Sequence, residues 1–223
     1  MKKGTRLYIN ITNHCNTDCP FCCMYSGRDK NSFMDFDTFK GIIDECDGEF
    51  ELQLEGGEPL THKALFLFME YAVSTGRCKK ILILSNGILM KKFLKRIVEF
   101  ANWNRILVEL KLSINYWLIE QVDSFLEDMN QISFATEDLE FVNVVFNVRK
   151  RKDVDEGIDE LVEKYGLSGK SNIFYLQGYG KLTGTGLDQP VIVQNIENWR
   201  LYASDGKCFG TDLIGRSEWE RGL

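Results

Sequence analysis

No stretch of about 20 apolar residues occurs in this chain of 223 residues, so no membrane-spanning helix is expected. An excess of positive charge is missing as well. Lys and Arg number 27 against 33 Asp and Glu, a net charge of −6. An acidic chain gives no reason to expect nucleic acid as a partner. The short basic clusters, Lys91-Lys92, Lys95-Arg96 and Arg149 to Lys152, read as solvated helix faces and loop charges. The stretch from Met1 to Arg6 is charged and has neither the apolar core nor the small-residue cleavage site of a secretion signal. The cytoplasm is therefore the expected compartment. There is no low-complexity segment and no linker, and length alone suggests one domain.

An evenly spaced set of cysteines, as in a small disulfide-stapled fold, is also absent. The seven cysteines are bunched: Cys15, Cys19, Cys22 and Cys23 fall together, whereas Cys46, Cys78 and Cys208 are isolated. Bunched cysteines in a cytosolic chain point to metal or redox chemistry.

Apolar residues recur with alternating periods of two and 3.6. Strands are predicted over 7–12, 50–55, 81–85, 106–113, 141–148 and 173–177. Helices are predicted over 35–46, 62–75, 89–101, 117–130 and 154–165. Repeated βα units imply a parallel sheet with right-handed crossovers. Within the strands one face is apolar and the other polar. Phe50, Leu52 and Leu54 oppose Glu51, Gln53 and Glu55; Val108, Leu110 and Leu112 oppose Glu109, Lys111 and Ser113. A doubly wound sheet is apolar on both faces, and a closed eight-stranded barrel fills its inside with branched apolar residues. The pattern instead predicts an α/β fold: a partial, open parallel β/α barrel of about six βα units over 1–178, lined by a wet polar cavity. An irregular tail over 179–223 follows. An α+β sheet with one solvated face is the alternative.

Two motifs carry chemistry. Just after the first strand comes Asn13-His14-Cys15-Asn16-Thr17-Asp18-Cys19-Pro20-Phe21-Cys22, with the spacing C-x3-C-x2-C. Three thiolates in one loop can surround one metal centre. They are one ligand fewer than the four that a [4Fe–4S] cluster takes, so one iron would stay open. Zinc held by the same three cysteines and His14 remains an alternative. At the end of the second strand comes Glu55-Gly56-Gly57-Glu58-Pro59. Paired glycines there permit positive φ and close backbone approach to a ligand. The C-terminal mouth of parallel strands is where such folds bind ligands.

Together the C-x3-C-x2-C loop and the Gly-Gly-Glu-Pro turn, with aromatic Phe21 before the last cysteine, resemble the radical S-adenosylmethionine (SAM) superfamily over roughly 7–177. The resemblance implies that Cys15, Cys19 and Cys22 ligate three irons of a [4Fe–4S] cluster while SAM chelates the fourth. The turn Gly56-Gly57-Glu58-Pro59 would hold the SAM amino group, largely through backbone, and Phe21 would lie near adenine. Ser85 and Asn86 after the third strand, and Ser113 and Asn115 after the fourth, fall where the family contacts methionine and ribose. Arg149 could pair with the SAM carboxylate, and Leu176 and Gln177 would flank adenine. The implied reaction is reductive cleavage of SAM to a 5′-deoxyadenosyl radical that takes hydrogen from a small-molecule or peptide substrate. The electron would come from a donor such as flavodoxin or ferredoxin. The tail motif from Asp205 to Asp212, containing Cys208, resembles the start of the SPASM extension of peptide-modifying members. No cysteine follows it, so a complete second cluster is not expected. An activase for a glycyl-radical enzyme and a zinc-binding structural module are the competing readings.

Overall fold

The computed structural model describes residues 5–185 and 198–223. Its strands are β1 (Thr5–Thr12), β2 (Phe50–Gly56), β3 (Cys78–Ser85), β4 (Leu107–Asn115), β5 (Val142–Lys150), β6 (Ser171–Tyr175) and β7 (Trp199–Tyr202). They form one sheet in the order β6-β5-β4-β3-β2-β1-β7, with every pairing parallel. The terminal strands β6 and β7 are not paired with each other, so the barrel is open, as predicted. The helices are α1 (Phe36–Asp44), α2 (Leu65–Ser74), α3 (Met90–Asn104), α4 (Tyr116–Gln121), α5 (Phe125–Ala135), α6 (Gly157–Lys164) and α7 (Leu213–Gly222).

The register turns the alternation in each strand into rows across the sheet. Leu7, Leu52, Ile81, Val108 and Val142 are successive partners, as are Ile9, Leu54, Ile83, Leu110 and Val144. These rows are buried and form the main core together with residues of the helices. α1 shows why a helix forms there: Asp35 accepts from Thr38 N at 2.7 Å as its N-cap, and Phe39, Ile42 and Ile43 fall on one buried face. Phe39 then stacks on Phe68 of α2 with ring centroids 4.3 Å apart.

The intervening rows are mostly polar. Tyr8, Gln53, Leu82, Glu109 and Asn143 are partners across the inner face. Lys80 pairs with Glu109 at 2.7 Å, and Lys111 donates to Gln53 at 3.3 Å. Lys80, Glu109, Lys111 and Gln53 thus satisfy one another, as buried polar groups must.

Two elements differ from expectation. The helix predicted over 117–130 is two helices, α4 and α5. Val122 is extended between them and Ser124 is left-handed at φ 56°, so the chain changes direction where apolar periodicity runs on. The tail, predicted to be irregular, supplies β7 beside β1 and the helix α7. α7 lies against the polar inner face of the barrel. Arg216 pairs with Glu55 at 2.8 Å, both side chains under a tenth exposed. Glu220 accepts from Asn10 Nδ2 at 2.9 Å and from Ser204 N at 2.7 Å. Part of the lumen expected to be wet is therefore occupied by α7.

Removing one partner of a buried ion pair leaves the other charge stranded, at a cost of about 3–5 kcal/mol. Arg216→Met is expected to lower the urea midpoint of the apoprotein accordingly, and the double variant with Glu55→Gln to recover most of the loss. An unchanged midpoint in the single variant would show that α7 is not seated on the sheet.

Candidate active site

A cavity of about 610 Å³ opens at the C-terminal ends of the strands. Cys15, Cys19, Phe21, Cys22, Gly56, Gly57, Ser85, Asn86, Ser113, Asn115, Arg149, Leu176 and Gln177 all line it. Residues from the ends of five strands, β2 to β6, and from the loop after β1 thus meet in one place.

That loop is held by the turn after β2. Gly57 N donates to Thr12 O at 2.7 Å and Glu58 N to His14 O at 2.9 Å. A Cβ on Gly57 would stand 2.0 Å from His14 O, and one on Gly56, at φ +134°, 2.1 Å from Thr12 O. The close approach that the paired glycines allow is therefore first of all to the cysteine loop. Sequence alone points only to a ligand. Cys15 N donates to Gly27 O at 3.0 Å and Cys22 N to Cys19 O at 3.2 Å, which closes the loop on itself.

Glu58 and Pro59 do not line the cavity. Glu58 is fully buried behind it, and its carboxylate accepts from Leu60 N at 3.0 Å, Asn86 N at 2.8 Å and the Ser85 hydroxyl at 2.9 and 3.0 Å. Burial pushes its carboxyl up to about 7, against the pull of these donors. Glu58 thus ties the turn after β2 to the end of β3. Asn115 accepts from Leu118 N at 2.9 Å and caps α4 through its Oδ1. Arg149 lies 5.9 Å from the Phe174 ring and, among the described residues, pairs with no carboxylate. Phe21 packs with Leu176 and Leu182, joining two residues expected near adenine in one apolar patch.

Burial pushes the Cys15 thiol up to about 12 and the Cys19 thiol up to about 11, and the neighbouring thiols reinforce both shifts. Thiols held up in this way become thiolates when a cationic centre binds beside them. Among the described residues, no three His, Cys, Asp or Glu side chains stand together as a site for one metal ion. His14, the fourth donor of the zinc alternative, is engaged elsewhere, with Nδ1 3.0 Å from Lys30 O and its ring near Phe33. Thiolates on separate irons of a cluster need no such convergence, so the donor set fits the cluster better than a lone ion.

The cavity also holds residues that the sequence did not single out. Cys23, Ser26, Tyr175 and Tyr179 line it. Cys23 was legible only as the neighbour of Cys22, and Tyr179 sits in a glycine-rich stretch with no periodic signal. The Ser26 hydroxyl is buried without a hydrogen-bond partner.

The chain is thus an open parallel β/α barrel with three loop thiols at its C-terminal mouth. The family model described as the radical SAM superfamily matches residues 9–180, and the chain belongs to that superfamily. The cofactors of the family are a [4Fe–4S] cluster and SAM. Among curated proteins, the chain is 28% identical over 163 residues to the probable GTP 3',8-cyclase of Methanocaldococcus jannaschii, covering 67% of this chain and 53% of that protein. It is 26% identical over 208 residues to the GTP 3',8-cyclase of Campylobacter jejuni subsp. doylei, covering 84% and 62%. The chain therefore spans between half and two thirds of the length of these relatives. Among solved structures, it superposes on Streptococcus suis SuiB bound to precursor peptide SuiA with a TM-score of 0.60 at 18% identity, covering 82% of this chain and 42% of that one. For native anSMEcpe with bound AdoMet and Cp18Cys peptide the TM-score is 0.57 at 13% identity, covering 77% and 51%. Both likenesses concern the fold.

Proposed function

We propose that this chain cleaves SAM reductively and directs the resulting radical at a peptide. The observation that carries the proposal is the meeting of Cys15, Cys19 and Cys22 with the ends of the parallel strands around one cavity. When bound, the cluster supplies one electron to SAM, whose C5′–S bond breaks to give methionine and a 5′-deoxyadenosyl radical. The chain's own residues hold and orient the reactants. Cys15, Cys19 and Cys22 hold three irons. The edge of the turn at Gly56 and Gly57 takes the amino group of SAM, and Arg149 takes its carboxylate. Ser113 and Asn115 face the ribose, and Phe21, Leu176 and Gln177 surround adenine. Glu58 and Pro59 act from behind the wall by fixing the turn. A ferredoxin or flavodoxin is the proposed electron donor.

A peptide is favoured as substrate by the open side of the cavity. β6 is an edge strand whose Ile173, Phe174 and Tyr175 line the cavity and are each about half exposed. The structural relatives crystallised with peptides support the same choice. The sequence relatives named GTP 3',8-cyclase suggest a nucleotide. However, among the described residues Arg149 is the one Lys or Arg lining this cavity, and a triphosphate calls for several cations. The test is an anaerobic incubation with SAM, dithionite and either GTP or a deuterated short peptide encoded beside the gene. Deuterium is expected in 5′-deoxyadenosine from the peptide. Consumption of GTP, with no transfer from peptide, would overturn the peptide assignment.

A further inference from the structure

We propose that Asn86 is a redox-tuning residue, whose side-chain amide donates a hydrogen bond to the Cys15 sulfur and raises the reduction potential of the cluster. The inference rests on the cluster reading above and goes beyond it. The resemblance had placed Asn86 toward SAM; its hydrogen bonds turn it toward a cluster ligand.

The orientation of the amide is fixed from both ends. Asn86 Oδ1 accepts from Ile88 N at 3.0 Å. Its Nδ2 therefore points the other way, 2.6 Å from Asn16 Oδ1 and 3.7 Å from Cys15 Sγ. Reversing the amide would set NH2 against the Ile88 N–H and lose that bond. An amide nitrogen carries two hydrogens, so one serves Asn16 and the second faces the sulfur. The Cys15 thiol, while protonated, lies 3.9 Å from Asn16 Oδ1. As a thiolate ligand it becomes an acceptor only; the Thr17 backbone N–H and the Asn86 amide are donors beside it, and Asn86 is the side-chain donor of the two.

The backbone under Asn86 is equally constrained. Asn86 N donates to Glu58 Oε2, the Ser85 hydroxyl donates to both Glu58 oxygens, and Gly87 N donates to Ser85 Oγ at 3.0 Å. Because Glu58 is fully buried, the turn that presents Asn86 rests on an element that water does not reach. A donor held in place by its surroundings costs little reorganisation when charge changes.

Reduction adds negative charge to the cluster and its sulfurs. A hydrogen bond to a ligand sulfur is stronger in the reduced state, so it raises the potential. Removing it must lower the potential. The test uses the full chain, reconstituted anaerobically and without SAM, so that contacts between Asn86 and SAM do not enter. Potentiometric EPR of wild type and Asn86→Ala gives the midpoints. The expected result is a more negative midpoint in the variant, with the reduced-to-oxidised ratio at fixed potential falling about tenfold, or ~59 mV for one electron. A variant with normal iron and sulfide content and the wild-type midpoint would overturn the inference while leaving the function intact. A wild-type chain that takes up no iron would overturn the function itself. Should the variant not load, pulsed EPR of reduced wild type carrying 15N in its asparagine side chains decides. A nitrogen coupling is expected, and its absence would refute the hydrogen bond.

Discussion

Cys19→Ala is expected to yield a colourless protein that makes no 5′-deoxyadenosine. In the proposed ligand set three thiolates hold the [4Fe–4S] cluster with one iron open, and two would be too few. Iron is expected to fall from about four per chain to near zero, and the broad absorbance near about 400 nm to vanish with it. The fold should survive, because Cys19 is part of the loop wall rather than the main core. Cys23→Ala is the matched control. Cys23 adjoins Cys22 and lines the same cavity, and burial pushes its thiol up. With three ligands already supplied by the motif, this variant should keep both iron and colour. Iron retained in Cys19→Ala, or lost in Cys23→Ala, would mean that the ligand set has been misassigned.

Gly57→Ala is expected to be nearly as damaging without touching a ligand. The new methyl would lie 2.0 Å from His14 O, 2.5 Å from His14 C and 2.9 Å from Asn13 O. These are backbone atoms, so no side chain can swing away. Overpacking costs about 1–3 kcal/mol where side chains can adjust; here the cysteine loop itself must move. The bonds from Gly57 N to Thr12 O and Glu58 N to His14 O should break with it. The expected outcome is a folded protein with far-ultraviolet circular dichroism near wild type but poor iron uptake on reconstitution. Full loading at the wild-type rate would show that the turn does not position the cysteines. Gly41→Ala, where a Cβ meets nothing within 4 Å, is the control and should load normally.

The barrel was legible because most of its strands carry their own alternation. The Leu52, Leu54 face and the Gln53, Glu55 face are visible in sequence, and the register merely aligns them with Ile81, Ile83 and their partners. The cysteine loop was legible from spacing, and the turn at Gly56 and Gly57 from its place after a strand. α7 was not legible, for a physical reason. Its buried face consists of Arg216, Ser217 and Glu220, which meet Glu55 on β2, the Cys23 carbonyl in the cysteine loop and Asn10 on β1, so the helix has no apolar stripe to detect. Polar lumen residues that looked like a lining for substrate are partly the docking site of this helix. The role of Glu58 was hidden for a similar reason. Sequence places it in the motif, but only the structure shows its carboxylate bonded to Ser85 and Asn86 rather than facing the cavity. The split between α4 and α5 was missed because Phe125 and Leu126 continue the apolar spacing through a left-handed Ser124.

The most direct test of the central claim is a single anaerobic assay of the wild-type chain. The protein is reconstituted with iron and sulfide, reduced with dithionite and given SAM, and the products are followed by mass spectrometry. A brown protein that releases 5′-deoxyadenosine and methionine in equal amounts is the expected result. A colourless protein that holds stoichiometric zinc, takes up no iron and leaves SAM intact would contradict it.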